Sequence, residues 1–90
     1  MAHEAKTTTD HDAIRTWAES RGGRPAAVAA THGGKDPGII RIAFQGETES
    51  LEDITWDELF AKFEENKLAF LHQEQTKDGE VSRFFKFVKR

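Results

Sequence analysis

Apolar residues in this chain repeat at two different spacings, and each change of spacing marks a new element. Ile14, Trp17 and Ala18 recur at i, i+3 and i+4, with Arg21 at i+7, which puts them on one face of a helix. Thr9 precedes the run as an N-cap, with Asp12 three residues on, close to capping-box spacing. Gly22-Gly23 and Pro25 stop the pattern, so a first helix is expected from about Asp10 to Arg21. The spacing then drops to two. In "IIRIAF", Ile40, Ile42 and Phe44 fall on one side of a strand and Ile39, Arg41 and Ala43 on the other. "PAAVAAT" is a weaker strand candidate before it, and the turn-rich "HGGKDPG" between the two suits an antiparallel hairpin. "QGETES" reads as a solvated loop.

The helical spacing returns at Thr55, an N-cap with Glu58 at N3 and with Ile54 and Leu59 as the hydrophobic staple. Trp56, Leu59, Phe60 and Phe63 form its inward stripe, and Asn66 stops it. "LAFLHQE" reads as a third strand ending in a turn at "KDG". The last ten residues fit two patterns. Val81, Phe84, Phe85 and Val88 make a helical stripe with Ser82 as its cap. Phe85 and Phe87 also alternate with charged neighbours, and Lys77-Asp78-Gly79 suits a hairpin onto the third strand. The stripe predicts a short C-terminal helix, with a fourth strand as the alternative. The expected fold is thus a small α+β domain in the order α-β-β-α-β plus that final element. Ile14, Trp17, Trp56, Phe60 and Phe63 pack both helices onto one face of an antiparallel sheet, leaving the other face partly wet. Residues 1–8 are small and polar without period and read as a disordered leader, so the single domain spans 9–90.

Composition narrows this picture. Ninety residues suffice for one core. Hydrophobic content is a low 37%, but seven Phe and two Trp each bring about 150–250 Å² of surface to bury. Without cysteine there is no disulfide framework, thiolate zinc site or thiol nucleophile, which suits a reducing cytoplasm. "MAHEAKTTT" lacks the apolar stretch of a signal peptide, and no apolar run approaches the roughly 18 residues of a membrane span. A cytoplasmic location with no membrane partner follows as the expectation. Net charge is −3, but its distribution is uneven. Residues 47–65 hold eight acids against one lysine, whereas "RFFKFVKR" holds four cations and no acid.

The candidate chemistry is sparse. His11-Asp12 echoes the dipeptide of a metal phosphohydrolase class, but that class draws its other ligands from a much larger helical domain. His3, His11, His32 and His72 lack the i, i+4 spacing of a helical zinc pair, so no metal site is expected. "GGKD" lacks the hydroxyl residue and following helix of a phosphate loop, and the acidic stretch lacks the pattern of a calcium loop. Ser20, Ser50 and Ser82 are cap or loop residues. No catalytic residue and no cofactor is therefore assigned. The cations remain. Arg15, Arg21 and Arg24, with Lys35 at the hairpin tip, form one candidate binding group; Arg83, Lys86, Lys89 and Arg90, interleaved with phenylalanine, form another. Arginine with aromatics suits phosphate contact and base stacking.

"DHDAIRTWAESRGGRPA", "GIIRIAF", "ITWDELFAKFEENKLAFLHQ" and "SRFFKFV" together resemble a family of small uncharacterised bacterial proteins of about this length. The likeness runs from Thr9 nearly to Arg90. Its most specific parts are Ile14-Arg15-x-Trp17-Ala18, Arg21-Gly22-Gly23-Arg24-Pro25 and Trp56-Asp57-Glu58. The resemblance implies a bacterial cytoplasmic protein and no established activity. Similar sequences sometimes carry a glucan-branching-enzyme label, but that chemistry needs a cleft with paired carboxylates, normally on a barrel several times this length. Three functions are carried forward: a non-enzymatic protein-binding module, a nucleic-acid or anion-binding module using the arginines or the basic tail, and an accessory subunit of an enzyme.

Overall fold

The computed structural model describes residues 5–34, 38–46, 50–76 and 78–90. In chain order its elements are β1 (Ala5–Thr8), α1 (His11–Glu19), β2 (Arg24–Val28), a 3-10 turn (Ala29–Thr31), β3 (Ile40–Ala43), β4 (Leu51–Asp53), α2 (Trp56–Glu65), β5 (Leu68–Gln73) and β6 (Phe85–Lys89). The protein is an α+β domain with two antiparallel three-stranded sheets, ordered β1-β5-β6 and β3-β2-β4.

Asp10 starts α1. Its carboxylate accepts from the N–H groups of Asp12 (3.0 Å) and Ala13 (3.3 Å). The cap is therefore Asp10 rather than Thr9, because a carboxylate there answers two unpaired amides and places negative charge at the positive end of the helix. At the other end the glycine stop forms as expected: Gly22 takes φ 73° and the Gly23 N–H donates to Ala18 O at 2.8 Å. A Cβ on Gly23 would lie 2.7 Å from Ile42 Cγ2, so only glycine lets the chain turn this tightly against β3. The start of α2 carries the full capping box: Thr55 Oγ1 accepts from the Glu58 N–H at 3.0 Å, and the Glu58 carboxylate accepts from the Thr55 N–H at 2.9 Å. Asn66 is its C-cap.

Both helices and both sheets feed one core. Ile14, Trp17 and Ala18 of α1 meet Leu59 and Phe63 of α2, Ile40 and Ile42 of β3, Phe44, and Phe70 of β5. Trp56 and Phe60 are only partly buried; they extend a ring stack in which His11 lies on Phe60 at 4.2 Å and Phe60 lies 5.5 Å from Trp56.

Four further details depart from the sequence reading. Residues 5–8 of the expected leader form β1, which pairs with β5 from Ala5↔Gln73 to Thr8↔Phe70; residues 1–4 lie outside the described residues. Short polar edge strands carry no periodic signal of their own, because their partner supplies the ladder. For the same reason β4, whose Leu51, Glu52 and Asp53 lie along β2, went unseen. It ends beside Pro25, whose missing N–H leaves a single bond there, from the Ile54 N–H to Pro25 O. Strands therefore divide between two sheets rather than one. Finally, the C-terminal helix is corrected to the alternative, a strand: β6 pairs with β5 from His72↔Phe85 to Leu68↔Lys89. The helical stripe failed because Val81 and Phe84 stay exposed while Phe85 and Phe87 turn inward at strand spacing.

Among the described residues no helix is long and apolar enough to cross a membrane.

Candidate interaction site

The two groups of cations separate according to what lies within their reach. Arg15 points along the outer face of α1 and pairs with Glu19 one turn on, at 3.4 Å. Arg21 is fixed in place. Its guanidinium donates to Ser82 O, to Trp17 O (3.0 Å), to Ser20 Oγ (2.9 Å) and to Glu74 O (3.0 Å), and it lies 4.3 Å over the Trp17 ring. Burial pulls it below its ordinary value against the opposing charge of Glu74, and arginine stays charged even so. Arg24 binds Asp53 across the β2–β4 edge at 2.7 Å. Lys35 lies outside the described residues. The three arginines of the first group therefore do not converge.

The second group divides. Lys89 donates to Asn66 O at 3.3 Å. Arg90 donates to Leu68 O at 2.6 Å and to Glu64 at 2.8 Å, beneath the Phe63 ring. Those two close the C-terminal end of α2. Glu64 is held below the ordinary glutamate range, first by its hydrogen bond with His11 and then by the one from Arg90. Arg83 and Lys86 are exposed, and both line a groove of about 450 Å³ between the start of β3 and the first part of β6.

The groove combines an apolar floor with a cationic rim. Ile39 and Ile40 face Phe84, Phe85 and Phe87 across it, and among the described residues its charged lining is Arg41, Arg83 and Lys86. Of three exposed large hydrophobics among the described residues, two belong here: Ile39 at 58% and Phe84 at 48%. Arg41 sits 5.9 Å from the Phe85 ring and Arg83 5.8 Å from the Phe44 ring, so the cations lie against aromatic faces. A second hollow of about 460 Å³ shares Ile39, Ile40 and Phe87 and adds Lys62, with no acid among its described lining residues. The described residues of the strip are basic on a chain of net charge −3.

Arg41, Lys62 and Ile39 were missed by the sequence reading. Their signal was present in part, since the alternation in "IIRIAF" already set Ile39 and Arg41 on the side away from Ile40 and Ile42. What could not be read was that β6 would be a strand and would lie opposite.

Elsewhere the chemistry is self-contained. A recess of about 550 Å³ between α1 and β5 brings together Lys6, Asp12, Trp17, Arg21, His72 and Glu74. Its polar groups bind one another: Trp17 Nε1 donates to Gln73 O at 3.1 Å, and His72 Nδ1 lies 3.1 Å from Glu74. His11 pairs with Glu64, and His32 with Glu52 and Gly34 O. Among the described residues no three His, Asp or Glu side chains are placed to hold a metal. No protein-family model, curated protein or solved structure matches the chain.

Proposed function

We propose that the protein is a non-enzymatic interaction module that docks an acidic partner protein in the groove between β3 and β6. The observation that carries this reading is the lining itself: exposed Ile39 and Phe84 on the floor, Arg41, Arg83 and Lys86 on the rim, and no acid among the described residues. Apolar floors with charged rims are the anatomy of protein interfaces, in which aromatics and arginine contribute most of the binding energy. A groove of this kind, open along its length, suits a chain segment better than a small metabolite. The cysteine-free composition fits work in the cytoplasm.

Photo-crosslinking in cells tests the reading. A benzoylphenylalanine at position 84 should give a discrete protein adduct that Arg83→Glu with Lys86→Glu abolishes, while the same label at position 19, on the outer face of α1, gives none. No adduct at position 84, or one indifferent to charge reversal, overturns the proposal. A nuclease-sensitive adduct would instead assign the groove to nucleic acid, for which Phe84 beside Arg83 offers a stacking surface.

A further inference from the structure

We infer that the occupant of the groove is an extended acidic segment that adds to the outer edge of β6 as a further strand. The inference rests on the groove being the docking site and names what fills it.

The backbone register carries the argument. β6 is the last strand of its sheet, as β3 is of the other. In antiparallel pairing, opposed residues alternate between those that exchange hydrogen bonds with the neighbour and those that do not. The Gln73 N–H donates to Phe84 O at 3.3 Å and the Arg90 N–H to Lys67 O at 3.0 Å. Those two bonds fix the phase: Phe84, Lys86, Val88 and Arg90 bond to β5. The N–H and C=O groups of Phe85, Phe87 and Lys89 therefore point the other way. The same logic applies to β3, where the Val28 N–H donates to Ile39 O at 2.9 Å. Its outward backbone groups belong to Ile40 and Ile42. Two outer edges thus flank the groove, and both are lined with residues whose polar backbone is unanswered by their own sheet. Such an edge is a template for another strand.

Side chains specify the occupant. Along β6, Phe85 and Phe87 turn to the core side, while Lys86 lies exposed on the opposite side. A strand laid alongside sets its own side chains against these in the same alternation. It meets Phe85 and Phe87 on one face, the side on which Arg83 reaches the Phe44 ring, and Lys86 on the other. The matching pattern is apolar-acidic alternation over five residues, roughly 17 Å, the length of β6. The lysine on this edge also has a protective effect, since like charge discourages two copies of β6 from pairing. An acidic strand turns that repulsion into attraction, so one side chain excludes self-association and admits the partner.

The probe is a synthetic peptide of about eight residues alternating glutamate and valine, titrated into the ¹⁵N-labelled protein at low salt. A control peptide carries the same residues in two blocks. A third is N-methylated at every second residue, so that it cannot donate along one edge. Binding should slow amide exchange at Phe85 and Phe87 by about tenfold or more and leave Lys86 and Val88, already bonded to β5, little changed. Methylation on the β6-facing side should weaken binding by about tenfold or more. The blocked peptide should bind less tightly than the alternating one. Chemical-shift changes at Arg83 and Lys86 without that alternation in exchange, or equal affinity of the methylated peptide, would overturn strand addition while leaving the groove as a charged docking surface. Failure of the peptide to bind while the position-84 adduct persists in cells would likewise overturn it and spare the groove. An oligouridine that shifts Arg83 and Phe84 where the peptide does not would overturn it as well.

Discussion

Replacing Arg21 by alanine should cost about 2–3 kcal/mol of stability, a value that follows from its contacts. The guanidinium donates four hydrogen bonds, three of them to main-chain carbonyls, and covers the Trp17 ring at 4.3 Å. Each bond contributes about 1 kcal/mol net, and the ring contact about 0.5–1 kcal/mol. Water reaches the half-buried site once the side chain is cut, so the gross sum is discounted by nearly half. What is lost is a strut between the end of α1 and the turn that joins β5 to β6, since Ser82 and Glu74 both lie in that turn. In a domain of 90 residues, 1 kcal/mol moves Tm by about 4–8 °C, so the variant should melt about 10–20 °C lower. Arg21→Lys, which keeps the charge but not the fork, should recover less than half of the loss. Arg15→Ala is the control: it removes only an exposed pair with Glu19, for which the cost is below about 0.5 kcal/mol. Thermal and urea unfolding of the three variants decide the matter. If Arg21→Ala melts no lower than Arg15→Ala, the strut is unimportant to stability and Arg21 returns to the set of cations available to a ligand.

Other substitutions separate parts of the fold. Trp17→Ala should cost about 3–5 kcal/mol because the ring is 4% exposed, whereas the half-buried Trp56 should cost roughly half as much; urea midpoints with unchanged slopes would show the ranking, and equal losses would refute it. Gly38→Ala should destabilise by about 2 kcal/mol or more, since φ is +95° and the new Cβ would sit 2.1 Å from Thr31 Oγ1. A calorimetric Tm within a few degrees of the parent would contradict that. Glu64 titrates below an ordinary glutamate, so its contribution is present above the unfolded pKa and is lost as pH falls through the lower folded value. A ¹³C carboxyl titration should show the depressed midpoint and a larger upward move for His11→Ala than for Arg90→Ala; the reverse order would overturn the ranking of the two bonds.

How much of this was legible in the sequence depended on where each element finds its partner. α2 was readable to the residue at both ends because Thr55, Glu58 and Asn66 act within one helical turn. β3 was readable because three apolar residues at period two fill the core. β1 and β4 were not, since Ala5–Thr8 and Leu51–Asp53 are short and polar and owe their conformation to β5 and β2 across long sequence separations. β6 held both signals, and tertiary pairing decided between them: as a strand it packs the half-buried Phe85 and Phe87 against the core, whereas the helical stripe needed Val81, which stays 66% exposed. The groove inherited that ambiguity. It could not be read before β6 was known to be an edge.

The roles of the cations follow from their distance to helix ends rather than from their neighbours in sequence. A helix C-terminus presents carbonyls without partners and the negative end of a dipole, and it takes up nearby cations. Arg21 lies at the end of α1 and donates to Trp17 O; Lys89 and Arg90 meet the end of α2 and donate to Asn66 O and Leu68 O. Each is thereby used by the fold. Arg83 and Lys86 belong to the same basic run, "RFFKFVKR", yet they lie along β6 beside no helix end, and the carbonyls of a strand alternate in direction without building a comparable field. Their charge is left over after the fold is satisfied. On a chain whose remaining surface is dominated by acid, leftover positive charge beside exposed Ile39 and Phe84 repels most cationic partners weakly and draws acidic ones to a single edge. Selectivity of this kind needs no pocket shaped to one ligand; it needs only that positive charge stay available beside an exposed apolar patch.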